Sequence, residues 1–200
     1  ELWDVSKTQF GLLLSVYGLA SNVMYVALSW AQDRYAPRQL ISITMIIGGI
    51  TTSFLGKTSD FYVLLSLLLT LAICCEGAFW PAILSSVRKS ASDQQQSKVF
   101  GILEGGRGLI EFLQNAITLG LYAWLGNSVL GLEVAFILNG GVMVLLGITC
   151  WFVLPRDSLL KSDESSGKMM SEVREGMKVT LAMPEIWLAG ISGFFIYFAY

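Results

Sequence analysis

Apolar runs of membrane-spanning length follow one another along this chain with only short polar links between them. They are Phe10–Trp30, Leu40–Leu55, Tyr62–Val87, Val99–Leu125, Val134–Leu154 and a run beginning at Ile186. About 20 apolar residues cross the hydrocarbon core of a bilayer as a helix. Any one of these runs could be the core helix of a soluble domain, but six in succession leave no polar surface with which to enclose them. Only 14% of the 200 residues are charged and 54% are hydrophobic, where a soluble domain carries roughly a quarter charged residues. The fold class expected is all-α, a polytopic membrane helix bundle.

Within the fourth run, Phe100-Gly-Ile-Leu-Glu-Gly-Gly-Arg-Gly-Leu-Ile-Glu-Phe-Leu-Gln-Asn115 carries Glu104, Arg107 and Glu111. Spacings of i, i+3 and i+7 place the three on one helical stripe, which Gln114 and Thr118 continue. A charge at membrane depth costs a few kcal/mol or more unless it faces protein or water, so this helix is expected to have one wet or paired face. Glu111 is the deepest, about twelve residues or ~18 Å from the cytoplasmic end at helical rise. Glu76, in the third run, lies at comparable depth.

Arg107 offers a planar, permanently charged donor fork suited to carboxylate, sulfonate or phosphate groups. Glu76, Glu104 and Glu111 can exchange a proton where water is scarce. Glu76, Arg107, Glu111 and Gln114 are therefore the candidates for solute or proton coupling, with Glu76 or Glu111 as the proton-responsive group and Arg107 as the anion or gating contact. The plainer alternative is that Glu104–Arg107 and Arg107–Glu111 neutralise one another and hold helices together. Glu104, nearest the surface, is expected to be a structural ion-pair partner. Gly101, Gly105, Gly106 and Gly108 read as a close-packing helix surface; they lack the Gly-Lys-Ser/Thr of a phosphate loop and follow no strand.

Composition removes several function classes. There is no histidine, hence no Ser-His or Cys-His catalysis and no His-ligated metal. Cys74, Cys75 and Cys150 all fall inside apolar runs and read as small packing residues, so no metal site and no cofactor are expected. A net charge of −2 without a basic run gives nucleic acid nothing to bind. An intramembrane enzyme would lack an activated nucleophile.

Basic residues set the sidedness. Arg34 and Arg38, then Arg88, Lys89 and Lys98, then Arg156, Lys161, Lys168, Arg174 and Lys178 lie in links that share one side, and Lys7 and Lys57 lie in links on the other. The richer side is the cytoplasm by the positive-inside rule. Residues 32–39, 88–98 and 156–183 are thus expected inside, with Gly126–Glu133 outside. In the last of the inner segments Met170, Val173, Met177 and Leu181 recur at helical spacing, the pattern of a helix on the membrane surface or of a connector.

Phe10-Gly-Leu-Leu-x-x-x-x-Gly18-Leu19 is echoed by Phe100-Gly-Ile-Leu-x-x-x-x-Gly108-Leu109. The two would enter the membrane from opposite sides, as in an inverted-topology repeat.

The link Ser29-Trp-Ala-Gln-Asp33-Arg34-Tyr-Ala36-Pro-Arg38 resembles the Gly-x-x-x-Asp-Arg-x-Gly-Arg-Lys loop between the second and third helices of major facilitator superfamily transporters. Asp33, Arg34 and Arg38 occupy its charged positions; Ser29 replaces its glycine and Pro37 one of its basic residues. Ser6-Lys-Thr-Gln-Phe-Gly11, Glu76-Gly-Ala-Phe-Trp-Pro81 and Met183-Pro-Glu-Ile-Trp187 resemble the same family's second, fourth and seventh helices. The resemblance covers essentially the whole chain. It implies residues 1–155 as the N-terminal bundle from the second helix to the sixth, the first being missing, 156–183 as a cytoplasmic linker, and 184–200 as the start of the C-terminal bundle. The chain starts at Glu1 and ends inside an apolar run, which reads as a piece of a longer protein.

What the resemblance implies about function is secondary active transport of a small solute, an organic anion or a sugar derivative, by alternating access and coupled to protons. The lipid bilayer and the C-terminal half are the implied partners; the short loops and compact linker point to the bacterial inner membrane. It also implies that Asp33, Arg34, Arg38 and Arg88 form a cytoplasmic gate. Opposite charges that touch in one state and separate in the other supply the free-energy difference a switch requires. A membrane scaffold or sensor built on a transporter fold is the alternative.

Overall fold

A computed structural model describes residues 5–28, 31–92, 94–154 and 182–198. Among these residues all regular structure is helical. The chain divides into two units, residues 1–160 and 161–200. The first contains α1 (Lys7–Ala27), α2 (Ala31–Arg34), α3 (Pro37–Leu55), α4 (Phe61–Leu71), a π-helical segment (Ala72–Phe79), α5 (Trp80–Ser90), α6 (Gln96–Trp124) and α7 (Val129–Val153). The second unit contributes α8 (Pro184–Phe198). The stretch 156–181, with its proposed surface helix, lies outside the described residues.

Four of these elements, α1, α3, the continuous helix Phe61–Ser90 and α7, are long and apolar enough to cross a bilayer. At 29 residues α6 is long enough too, at ~1.5 Å rise per residue, but its polar stripe makes it less apolar than those four. Helix starts follow local chemistry. Ser6 Oγ accepts from the Gln9 amide at 3.2 Å, and Gln9 returns a bond to the Ser6 amide at 2.8 Å, so two orphan amide donors are satisfied together. Asp60 caps Tyr62 and Val63 at 2.9 and 3.0 Å. The α6–α7 reversal uses positive φ at Gly126 and Asn127, where a helix end turns left-handed. Because α7 begins at Val129, Glu133 stands on a helix rather than in the outer link expected from sequence.

The firmest packing joins α3 to α7 antiparallel. A Cβ at Gly49 would meet Gly140 O at 2.5 Å and Met143 Cβ at 2.9 Å, and one at Gly147 would meet Ser42 O at 3.0 Å. Only glycine allows backbones this close, and small residues drive helix association where lipid is as apolar as leucine. Gly48 and Gly49 of α3 are thus close-packing residues. The close packing expected at Gly101, Gly105, Gly106 and Gly108 is not found: nothing described lies within 4 Å of a Cβ at any of them. Glycine spacing tells that a helix can be approached, not which helix approaches it. A second cluster, Leu13, Leu55 and Leu64 with Phe61, Leu68 and Phe136 around them, closes the end opposite α2.

Pro81 stands inside the continuous helix Phe61–Ser90. The turns before it widen, with the Trp80 amide bonding to Cys75 O. An intrahelical proline clashes with the carbonyl four residues earlier, and a π-helical turn relieves that clash without breaking the rod. Gly77 within the widened segment lets α1 pack closely, a Cβ there falling 2.9 Å from Met24 Cβ.

Candidate functional site

The π-helical segment turns Glu76 into a cleft of about 290 Å³ between α3, α5, α6 and α7. Its walls are Thr44 and Met45 of α3, Cys75, Glu76 and Phe79 of the π segment, Trp80, Met143 of α7, and Arg107 of α6. Glu76 and Arg107, assigned to different apolar runs by sequence, are thus brought to one space. Cleft and charges coincide.

Arg107 has an acidic and an aromatic neighbour among its contacts. Its Nη2 lies 3.0 Å from Glu104 Oε2 on the preceding turn, and its Cζ lies 5.1 Å from the centre of the Trp80 ring. The ion-pair side chains are 43% and 47% exposed, so the pair contributes at most about 1 kcal/mol. A cation–π contact at such a site adds roughly 0.5–1 kcal/mol. Glu104 is thus paired with Arg107 on its own helix.

Glu111 and Gln114 sit on an exposed part of α6 and do not line the cleft. Further along the stripe, Thr118 Oγ1 accepts from Asn139 Nδ2 of α7 at 3.2 Å, a polar clamp between neighbouring helices.

Tyr17 and Ser21 were not singled out from sequence. The Tyr17 phenol stands beside the Glu76 carboxylate and the Ser21 hydroxyl. Tyr17 thus links α1 to the carboxylate that lines the cleft, with Ser21 one turn further on. Their only sequence signal is polar residues four apart inside an apolar run.

Of the residues assigned to a cytoplasmic gate, Arg34 ends α2, which packs against α5, and Arg88 is in the exposed last turn of α5. Arg38 lies elsewhere, its guanidinium 4.5 Å from the ring centre of Trp151 of α7. Asp33 falls within α2; its side chain is outside the described residues. Cys74, Cys75 and Cys150 are free thiols. Among the described residues no group of His, Cys, Asp or Glu is arranged to hold a metal ion.

A model of the Major Facilitator Superfamily matches residues 1–200. The inner membrane protein YihN of Escherichia coli (strain K12) is 24% identical over 200 residues, which is all of this chain and 48% of that protein. The inner membrane protein YqcE of the same organism is 24% identical over 196 residues, 98% of this chain and 46% of that protein. The chain spans about half the length of these relatives.

Proposed function

Because the chain belongs to the Major Facilitator Superfamily, we propose that it is half of an inner-membrane secondary transporter moving a small organic anion or sugar derivative by alternating access, coupled to protons. The observation that carries this reading is the joint exposure of Glu76 and Arg107 to one cleft. The arginine supplies a cation at the cleft wall; the glutamate supplies a site for a proton in the same space. A solute anion and a proton that meet in one pocket influence each other's binding, and linkage makes that influence reciprocal. Glu76, backed by Tyr17 and Ser21, is the proton-responsive group in preference to Glu111.

Residues 1–155 act as one rocking bundle, 156–183 as the cytoplasmic linker and 184–200 as the start of the second bundle. The exposed glycine faces of α1 (Gly11, Gly18) and α6 (Gly101, Gly108) support this division, since they offer close approach to a second bundle. Asp33 and Arg34 of α2 with Arg88 of α5 form the inner gate, and Arg38 of the same link, turned to Trp151, stands apart from it.

The test is uptake of sugars, organic acids and phosphorylated solutes into proteoliposomes of the whole protein, with and without an imposed pH gradient. A gradient-dependent rate for an anionic solute is expected. Uptake indifferent to the gradient would remove proton coupling.

A further inference from the structure

The α3–α7 seam ends, on the side that basic residues assign to the cytoplasm, in a second groove of about 210 Å³ lined by Ala36, Arg38, Gln39 and Trp151. We propose that this groove holds the phosphodiester headgroup of an anionic phospholipid of the inner leaflet. The residues belong to neither the cleft nor the α2–α5 contact, and the site stands on its own whatever solute the cleft takes.

Charge favours a phosphodiester. Arg38 stacks one face of its guanidinium on the Trp151 ring. Stacking fixes the plane of the fork while leaving its N–H edge available, the arrangement that suits arginine to phosphate oxygens. The Gln39 amide beside it adds a neutral donor. Negative lipid is enriched on the cytoplasmic leaflet, so charge and location agree.

The helix faces below the groove favour a lipid over a soluble anion. Gln39, Ile43 and Ile47 share one face of α3 at i, i+4 and i+8, and Ile43 and Ile47 are exposed. On α7, Ile148, one turn from Trp151, and Phe152 are exposed as well. An apolar track therefore descends from the polar groove along both helices, matching a headgroup with acyl chains beneath it. Free phosphate would have no use for it. Tryptophan at the head of such a track is the usual occupant of the membrane–water boundary.

Native mass spectrometry of the whole purified protein, titrated with phosphatidylglycerol or phosphatidylcholine of equal chain length, tests the proposal. Phosphatidylglycerol is expected to be retained about fivefold more tightly, the effect of one well-placed basic residue. Arg38→Gln and Trp151→Leu should each reduce it to the phosphatidylcholine level, while Lys89→Gln, a basic residue on the same side, should keep the preference. Should Arg38→Gln fail to purify as a monodisperse protein, Trp151→Leu carries the test by itself, since it removes the shelf and leaves the charge. Equal retention of the two lipids overturns the proposal, as does a preference that survives both variants. Displacement of phosphatidylglycerol by millimolar inorganic phosphate also overturns it, marking a site for soluble anions.

Discussion

The guanidinium of Arg107 rests 5.1 Å from the centre of the Trp80 ring, with its carboxylate partner Glu104 on the turn before. An aromatic shelf fixes the arginine's position without consuming its hydrogen-bonding edge. The acidic partner offsets the arginine's charge, which lowers the cost of holding a cation in an apolar helix bundle.

Replacing Arg107 by lysine keeps the charge and removes the planar fork. A hydrogen bond to a charged group contributes about 1.5–3 kcal/mol, so Arg107→Lys is expected to weaken anionic-solute binding by roughly ten- to a hundredfold. Glu104→Gln should have the opposite sign, because it frees the arginine of a competitor. Solute affinity measured by calorimetry on the purified protein checks both.

Glu76 and Glu111 were equal candidates in the sequence, and the cleft separates them. Glu76→Gln is expected to abolish acceleration of uptake by an inward pH gradient, while solute exchange at equal pH continues. Glu111→Gln should leave the gradient response in place. Tyr17→Phe should shift the pH dependence of uptake in the direction of Glu76→Gln, with a smaller amplitude. Initial rates across a pH series distinguish the three.

The sequence carried the membrane class, the order of the spans and the polar stripe of α6, because each is written in residues a few positions apart. It could not say that Glu76 and Arg107 share a cleft, since that depends on how the Pro81 strain is absorbed. A kinked helix would aim Glu76 differently from the π-helical turns observed. Nor could it place Arg38 on Trp151, whose position follows from the antiparallel closeness of Gly49 and Gly147 to their opposite helices. Tyr17 and Ser21 carry no charge and stay inconspicuous until a carboxylate is seen beside them.

Cys75 lines the same cleft as Glu76, whereas Cys74 is buried away from it. A small, membrane-permeant alkylating reagent should therefore modify Cys75 before Cys74, and saturating solute should slow that modification. Peptide mapping after timed labelling reads the order. Equal rates at both thiols would detach the cleft from solute binding.

The two kinds of glycine face predict opposite phenotypes. A side chain at Gly140 would overlap the Gly49 backbone and the Ser53 hydroxyl, so Gly140→Val is expected to cost about 1–3 kcal/mol and to lower the melting temperature. Gly108 opens on empty space within its own bundle. Gly108→Val should leave stability within about 0.5 kcal/mol, yet depress uptake by obstructing the approach of the second bundle. Thermal melting paired with uptake rates reads the contrast.

The sharpest measurement is solute-driven proton movement in sealed proteoliposomes of the whole protein, read with a pH dye in the lumen as an anionic solute is added outside. The wild type should acidify the lumen as solute enters. Glu76→Gln should take up solute without acidification, and Arg107→Lys should show both signals only at much higher solute concentration. Acidification that persists in Glu76→Gln would contradict the account, because the proton would then travel by a route other than the cleft.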